Sequence, residues 1–502
     1  MRRIVRISTT LAIVIAAYWT YALAVVPQIE PPVRPRVSGS ASTAPLPPID
    51  RLVGLREMFR PGDWELDPKT IVLESEQVKF LVQDYADASE SPTLELDKCT
   101  IIFTPNGAAR NEAERAAQAI VLRAEKGASL EFDQPFDLRL GTIGRLVSGR
   151  LNGQIVIRSQ GKSPGPEDDL YAVTGDIQLT EQRVWTTKPI EFSLGRSTGR
   201  GSEMEIRFVP GDAMDGKGHG LNVAGIDWVK VYHIERLHLE PAAAKAGAKS
   251  PAQPGPMERA SDLPIELTCR GPFHFDFGQQ QAVFEDQVDV LRLHPNGPSD
   301  QVNCDRLTIQ FVPRREAAPP SGENSDAAPK ERAGLPDLEV RSVIAEGNPV
   351  VVRAPGQQVE ARGEALKYDL AKDCLVLDGK DVSLTQAANE VHARSIEYKL
   401  GQAGRLGEAL AKGPGRLRGK MSGAMTQPLE AQWQDHLRIW PDQRHQHLIS
   451  LIGGAEMNYG ALGRLQAGEI HFWLNEGASV PVSESQAGPR TSIQLDRMLA
   501  CK

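Results

Sequence analysis

The chain has 502 residues, of which 40% are hydrophobic and 6% aromatic, with 45 Gly and 36 Pro. This length predicts two to four structural units, and this composition favours short strands and turns over long helices. The formal net charge of -8 comes without a run of basic residues, which argues against nucleic-acid binding.

The N-terminus predicts a membrane segment. Three arginines precede an apolar stretch of 20 residues, 7–26, which is long enough to cross a bilayer as a helix. The arginines are expected on the cytoplasmic side, so residues 1–26 predict a single-pass inner-membrane anchor with the body in the periplasm. A cleaved signal peptide is the alternative, because Ala22 to Ala24 is a plausible cleavage site. The anchor is favoured since the stretch exceeds the roughly 7 to 15 apolar residues of a signal peptide.

Low-complexity segments divide the rest of the chain. Residues 27–50 are rich in proline and predict an extended linker. A second linker is expected at 241–261 and a disordered loop at 313–336. Two β domains are therefore expected at 51–240 and 262–502. Apolar and polar residues alternate in both, as on strands with one buried face.

One helix is expected within the first β domain. Residues Asn111 to Lys126 are rich in Ala, Glu and Arg, and Gly127 is a suitable stop.

A short pattern recurs along the chain, in which an aliphatic, a polar and an aromatic residue follow one another. Examples are Val78-Lys79-Phe80, Leu366-Lys367-Tyr368 and Ile396-Glu397-Tyr398. On a strand the first and third residues share a face. Repeated strands of this kind would combine into one continuous apolar surface.

The C-terminal half carries a more specific repeat. Segments of the form x-A-x-x-[LI]-x-Y, at Val359 to Tyr368 and Val391 to Tyr398, flank an L-x-G-x-V-x-L segment at Leu375 to Leu384. These segments resemble LptA, an OstA-like family of lipopolysaccharide (LPS) transport. The membrane segment, the proline-rich linker and the opening strands after Trp64 to Leu66 resemble LptC. The chain is thus similar to an LptC and an LptA protein fused.

The resemblance implies an all-β fold of open antiparallel β-jellyroll (β-taco) units in tandem, after one N-terminal transmembrane helix. It implies a non-enzymatic, membrane-anchored periplasmic bridge that carries LPS or a related glycolipid to the outer membrane. Other β-jellyroll transport proteins would be partners through edge-to-edge strand pairing, and no cofactor is implied. The residues expected to contact lipid are Phe273, Phe275, Phe277, Val288, Val290, Ile309, Phe311, Leu366, Tyr368, Leu375, Leu377, Ile396 and Tyr398.

Two other interpretations compete with this one. The apolar face is as compatible with the solid core of a β-sandwich, in a membrane-anchored structural or scaffold protein of the cell envelope that binds protein partners. An enzyme ranks last, because the sequence contains no Walker loop, HExxH, GxSxG or Rossmann glycine motif.

Two polar segments are candidate cation sites. His436, His445 and His447 could contribute to a zinc site, although a polar turn is the preferred interpretation because zinc needs three or four converging ligands. Residues 211–220 could form a calcium loop, but their acidic spacing is irregular and a hairpin loop is preferred.

The five cysteines are scattered and lack the spacing of metal ligands. They are expected to be mostly buried small residues. A bridge between Cys269 and Cys304 would be chemically possible in an oxidising compartment.

Overall fold

A computed structural model describes the chain in segments that all belong to its second compact unit, Leu52–Lys502. The described residues are 55–74, 78–84, 92–103, 119–133, 146–159, 170–210, 223–240, 263–295, 297–313, 338–399, 407–421, 427–442, 446–460, 463–476 and 493–501. The predicted anchor, both predicted linkers and all of the predicted loop except Pro313 lie outside them. Within the described residues, no helix is long and apolar enough to cross a membrane.

The described chain is almost entirely β-sheet, which confirms the all-β prediction. A short helix α1 (Leu55–Met58) and two 3-10 turns, Trp64–Leu66 and Pro355–Gln357, accompany one antiparallel sheet of 26 strands. The strands are β1 (Ile71–Glu74), β2 (Val78–Val82), β3 (Thr93–Leu96), β4 (Cys99–Phe103), β5 (Ile120–Ala124), β6 (Ala128–Phe132), β7 (Leu146–Ser159), β8 (Leu170–Thr180), β9 (Arg183–Leu194), β10 (Ser197–Pro210), β11 (Val223–Leu239), β12 (Ile265–Thr268), β13 (Phe273–Asp276), β14 (Gln281–Arg292), β15 (Asp300–Pro313), β16 (Leu338–Ala354), β17 (Val359–Asp369), β18 (Cys374–Gln386), β19 (Asn389–Lys399), β20 (Glu408–Lys412), β21 (Gly415–Met421), β22 (Gln427–Trp433), β23 (His436–Asp442), β24 (Gln446–Tyr459), β25 (Gly463–Glu476) and β26 (Ile493–Cys501).

The helix expected at 111–126 is wrong over its second half, where the chain forms β5. Leu122 pairs with Ile101 of β4 on one side and with Ile157 of β7 on the other. This pairing buries β-branched and aliphatic side chains on both faces of the strand, which overrides the helical preference of the neighbouring Ala, Glu and Arg. Residues 111–118 lie outside the described part of the chain.

The sheet is continuous across the predicted boundary between the two β domains. Strand β11 pairs with both β12 and β13, and these two short strands also pair with β14. Strands β12 and β13 therefore act as the two halves of one interrupted strand. The division at 241–261 stays a prediction, because those residues lie outside the described chain.

Most long strands are interrupted near their middle by a β-bulge. Register shifts occur between Leu151/Gln154, Glu285/Val288, Glu346/Val350, Asp378/Val382 and Ile452/Ala455. Bulges bend and twist a strand. The bulges fall at matching positions on neighbouring strands, so they form a line across the sheet that we call the crease.

The crease divides the sheet into two leaves that pack face to face. The first leaf contains Leu377 and Ile396, and the second contains Ala361 and Leu384. Residues of both leaves belong to one hydrophobic cluster. A second hydrophobic cluster also contains residues of both leaves, for example Val231 of the first leaf and Leu267 of the second. The sheet is thus folded over along the crease, with its apolar face inside.

Candidate functional site

Two rows of apolar side chains cross the first leaf on its inner face. Each row consists of residues that oppose one another on successive strands, so their side chains are neighbours. The inner row, next to the crease, consists of Met204, Val231, Phe273, Phe284, Leu307, Ala345, Leu366, Leu377, Ile396, Ala411, Leu437, Leu451 and Ile470. The lip row, one step further out, consists of Val229, Phe275, Ala282, Ile309, Val343, Tyr368, Leu375, Tyr398, Ala409, Ile439, Ile449 and Phe472.

A third row crosses the inner face of the second leaf and is equally apolar. It consists of Leu237, Leu267, Val290, Val302, Val352, Ala361, Leu384, Val391, Leu417, Ala431, Met457 and Leu465. Charged side chains alternate with these residues and project from the outer face, as Arg353 and Arg362 do beside Val352 and Ala361.

Burial decreases from the crease to the lips on strands β18 and β19. In the inner row Leu377 is 2% exposed and Ile396 is 5% exposed. Their partners in the lip row are more open: Leu375 is half-buried and Tyr398 is 36% exposed. The interior is therefore a packed core at the crease, and at strands such as β18 and β19 its apolar side chains become partly exposed between the lips, a region that we call the groove. At β24 and β25 the lip residues Ile449 and Phe472 are themselves buried.

All the residues expected to contact lipid lie on this inner surface or next to it. The inner row contains Phe273, Leu366, Leu377 and Ile396, the lip row contains Phe275, Ile309, Tyr368, Leu375 and Tyr398, and the second leaf contributes Val288 and Val290. Phe277 and Phe311 extend the lip row, with ring centroids 4.6 Å and 5.8 Å from that of Phe275. Lipid contact at these positions stays a prediction.

Sequence reasoning missed most of the second leaf. Val302, Val352 and Leu384 carry the same alternation of apolar and polar residues as the first leaf. Because the sequence does not locate the crease, nothing in it indicated that two stretches of one strand would face each other.

The lips also carry polar groups that the sequence did not single out. The Tyr368 hydroxyl donates to Asp373 Oδ1 at 3.4 Å. Burial raises the pKa of Tyr368 above its usual range, Asp373 raises it further, and the positive charge of Arg292 opposes both. Arg292 belongs to the second leaf and Tyr368 to the first, so the Arg292 charge acts on the Tyr368 hydroxyl from the opposite leaf.

The structure does not assemble the histidines considered for zinc. His436 opposes Ile452 at one end of β23, whereas His447 opposes Pro441 at the other end. His445 lies outside the described residues, as do residues 211–220 considered for calcium. Among the residues that the structure describes, no group of three His, Cys, Asp or Glu could hold a metal ion.

The cysteines are free thiols, and the bridge considered between Cys269 and Cys304 is not formed. Both lie in the core near the crease, where burial raises the pKa of Cys269 to about 11 and that of Cys304 to about 12. Protonated thiols are poor nucleophiles and poor metal ligands, so these two side chains act as small apolar residues.

The fold and the site define an all-β antiparallel jellyroll with an apolar interior. Residues 273–403 match the family model described as LptA/(LptD N-terminal domain) LPS transport protein. These residues supply a large part of the inner and lip rows, and they form an LptA-like segment of the chain. A search of the curated proteins gave no match.

Among solved structures, the chain is similar to the crystal structure of LptH, the LptA homologous periplasmic component of the LPS transport device from Pseudomonas aeruginosa. The identity is 16%, the match covers 28% of this chain and 95% of that chain, and the TM-score is 0.20.

Proposed function

We propose that this chain is a non-enzymatic bridge protein of the periplasm, in which LPS or a related glycolipid moves toward the outer membrane with its acyl chains in the groove. The observation that carries the proposal is the lip row, an apolar series that runs from β11 to β25 and whose side chains are partly exposed over most of its length, for example at Val343, Tyr368 and Leu375. The match of residues 273–403 to a family of LPS transport proteins supports it.

The energetics of such a groove suit transport. Each methylene group of an acyl chain that leaves water contributes about 0.8 kcal/mol. Apolar contact has no preferred direction, and the rows repeat from one strand to the next at a spacing of about 4.8 Å. A lipid could therefore pass from strand to strand without losing much of its binding free energy.

We further propose that residues 1–26 hold the body at the inner membrane and that 27–50 act as a spacer. The apolar length and the arginines that precede it support this arrangement. N-terminal sequencing of the mature protein tests it, since a chain that begins at Val25 would have lost the anchor.

The partners proposed on the same grounds are other β-jellyroll transport proteins. Strand β26 pairs with β25 and with no other described strand. An edge strand of this kind can accept a strand from another protein.

A photocrosslinking side chain placed at Phe275 or Tyr368 tests the proposed function in intact cells. Both positions should yield a glycolipid adduct. The matched control is Lys367, which is exposed on the outer face between Leu366 and Tyr368 and should yield none. If Phe275 and Tyr368 gave adducts with protein alone, the groove would not carry lipid and the structural or scaffold function would replace the bridge.

A further inference from the structure

Three polar side chains meet at the lip of the second leaf, at the outer end of β14. Arg292 Nη2 donates to Asp300 Oδ2 at 2.8 Å, and His294 Nε2 lies 3.0 Å from the same oxygen. The side chains of Arg292, His294 and Asp300 are 34%, 31% and 18% exposed, so a ligand can reach them while solvent access is limited.

The Arg292 side chain lies on the groove side of its strand. Val288 is 1% exposed in the core, and Val290 packs against the same core. Alternate residues of a strand share a face, which places Arg292 next outward in this series. Asp300 opposes Arg292 in the register and shares that face. On the opposite leaf, the positive charge of Arg292 opposes the rise in the pKa of Tyr368.

Arg292 has hydrogen-bonding capacity that the protein does not use. A guanidinium carries five N–H donors in a planar fork. One Nη2 donor is used by Asp300, and the guanidinium has no other acceptor among the described residues. The part of the fork that solvent reaches matches the geometry of phosphate oxygens.

We propose that Arg292 and His294 bind the phosphate group of an acidic amphiphile whose acyl chains lie in the groove. This inference rests on the proposed function and adds a headgroup specificity to it. Asp300 holds both side chains in place, and it also competes with the phosphate for them.

Binding of phosphatidic acid and of diacylglycerol with the same acyl chains, measured with the purified full-length protein in detergent, tests the proposal. Phosphatidic acid should bind roughly tenfold more tightly, as charge-assisted hydrogen bonds predict. Arg292→Gln should remove this preference and leave the affinity for diacylglycerol within about twofold. Arg353→Gln is the matched control, because Arg353 lies on the outer face of the same leaf, 3.4 Å from Asn303 Oδ1, and the preference should persist.

Asp300→Asn gives a result that misfolding cannot imitate. Removal of the competing carboxylate should strengthen binding of phosphatidic acid and leave that of diacylglycerol unchanged. Equal binding of the two lipids to the wild-type protein would overturn the headgroup site and leave the groove intact. Failure of both lipids to bind would overturn the groove itself. Inorganic phosphate that bound as tightly as phosphatidic acid would overturn the participation of acyl chains.

Discussion

The Glu65 carboxylate is fully buried and accepts a hydrogen bond from Arg123 Nη2 at 2.7 Å, although 58 residues separate the two. Thr100 Oγ1 donates to the other carboxylate oxygen at 2.8 Å. Arg123 and Thr100 project from the outer face of β5 and β4. The pair therefore fastens the segment of α1 and the first 3-10 turn, whose Leu55 and Phe59 cover that face, to the sheet.

Glu65→Gln should lower the free energy of unfolding by about 2 kcal/mol, because the buried Glu65 side chain would lose the charge that pairs with Arg123. Urea unfolding of the protein measures the change. Glu125→Gln is the control: Glu125 lies 3.8 Å from Arg123 Nε, but its side chain is 64% exposed. Exposed pairs contribute about 0–1 kcal/mol, so this variant should unfold almost as the wild type does. Equal losses in the two variants would contradict the structural role assigned to Glu65.

Gly127 joins β5 to β6 at the crease, with a φ of +82°. A methyl group there would overlap the carbonyl oxygens of Leu96 and Asp97. Gly127→Ala should therefore destabilise the body by about 3 kcal/mol, from the left-handed conformation and the overlap together. Gly62 has a φ of +100° but no neighbour within 4 Å of such a methyl group, so Gly62→Ala should cost only about 1 kcal/mol. Thermal unfolding compares the two, and a Gly127→Ala protein as stable as Gly62→Ala would show that the crease is not closely packed at this point.

Leu377 and Leu375 lie on the same face of β18. Substitutions at the two positions distinguish a role in core packing from a role in ligand contact. Leu377→Ala should cost about 3 kcal/mol of stability, since a buried leucine leaves a cavity in the core. Leu375→Ala should cost about 1 kcal/mol, because this side chain is already half-exposed at the lip. Its effect should instead appear as weaker binding of a fluorescent fatty acid.

The contrast between the two leucines is the informative result. A Leu375→Ala protein that lost as much stability as Leu377→Ala, and bound the fatty acid normally, would indicate a solid core up to the lip.

The strands of the LptA-like segment follow from sequence because their alternation is strict. In Leu366-Lys367-Tyr368, Leu366 belongs to the inner row and Tyr368 to the lip row, while Lys367 is exposed, as the pattern predicts. The same reasoning placed the aromatic residues around Phe275 on a common face. Local periodicity determines which side of a strand is apolar, and that information is present in a single segment.

The crease and the polar contacts depend on distant residues, so one segment does not reveal them. The bulge in β14 places Asp286 and Gln287 at φ values of 62° and 51°, yet neither residue type signals an interruption in a strand. The approach of Arg292 to Tyr368 exists only because the sheet folds over. A sequence pattern that defines a face does not say which other face will oppose it.

Cys304 makes the packing of the crease measurable by pH. Burial, with a further contribution from Asp305, raises the pKa of this thiol from about 9 to about 12. The folded thiol keeps its proton up to about pH 12, whereas the unfolded thiol releases it above about pH 9. Its contribution to stability is therefore complete below pH 9 and is lost as the pH rises from 9 to 12. The stability difference between the wild type and Cys304→Ala should shrink across that window in urea unfolding.

At pH 8 a maleimide should label the half-buried Cys501 of β26 and leave Cys304 unmodified until the protein unfolds. Equal labelling of both thiols in the folded protein would mean that solvent reaches the crease and that the groove extends to its base.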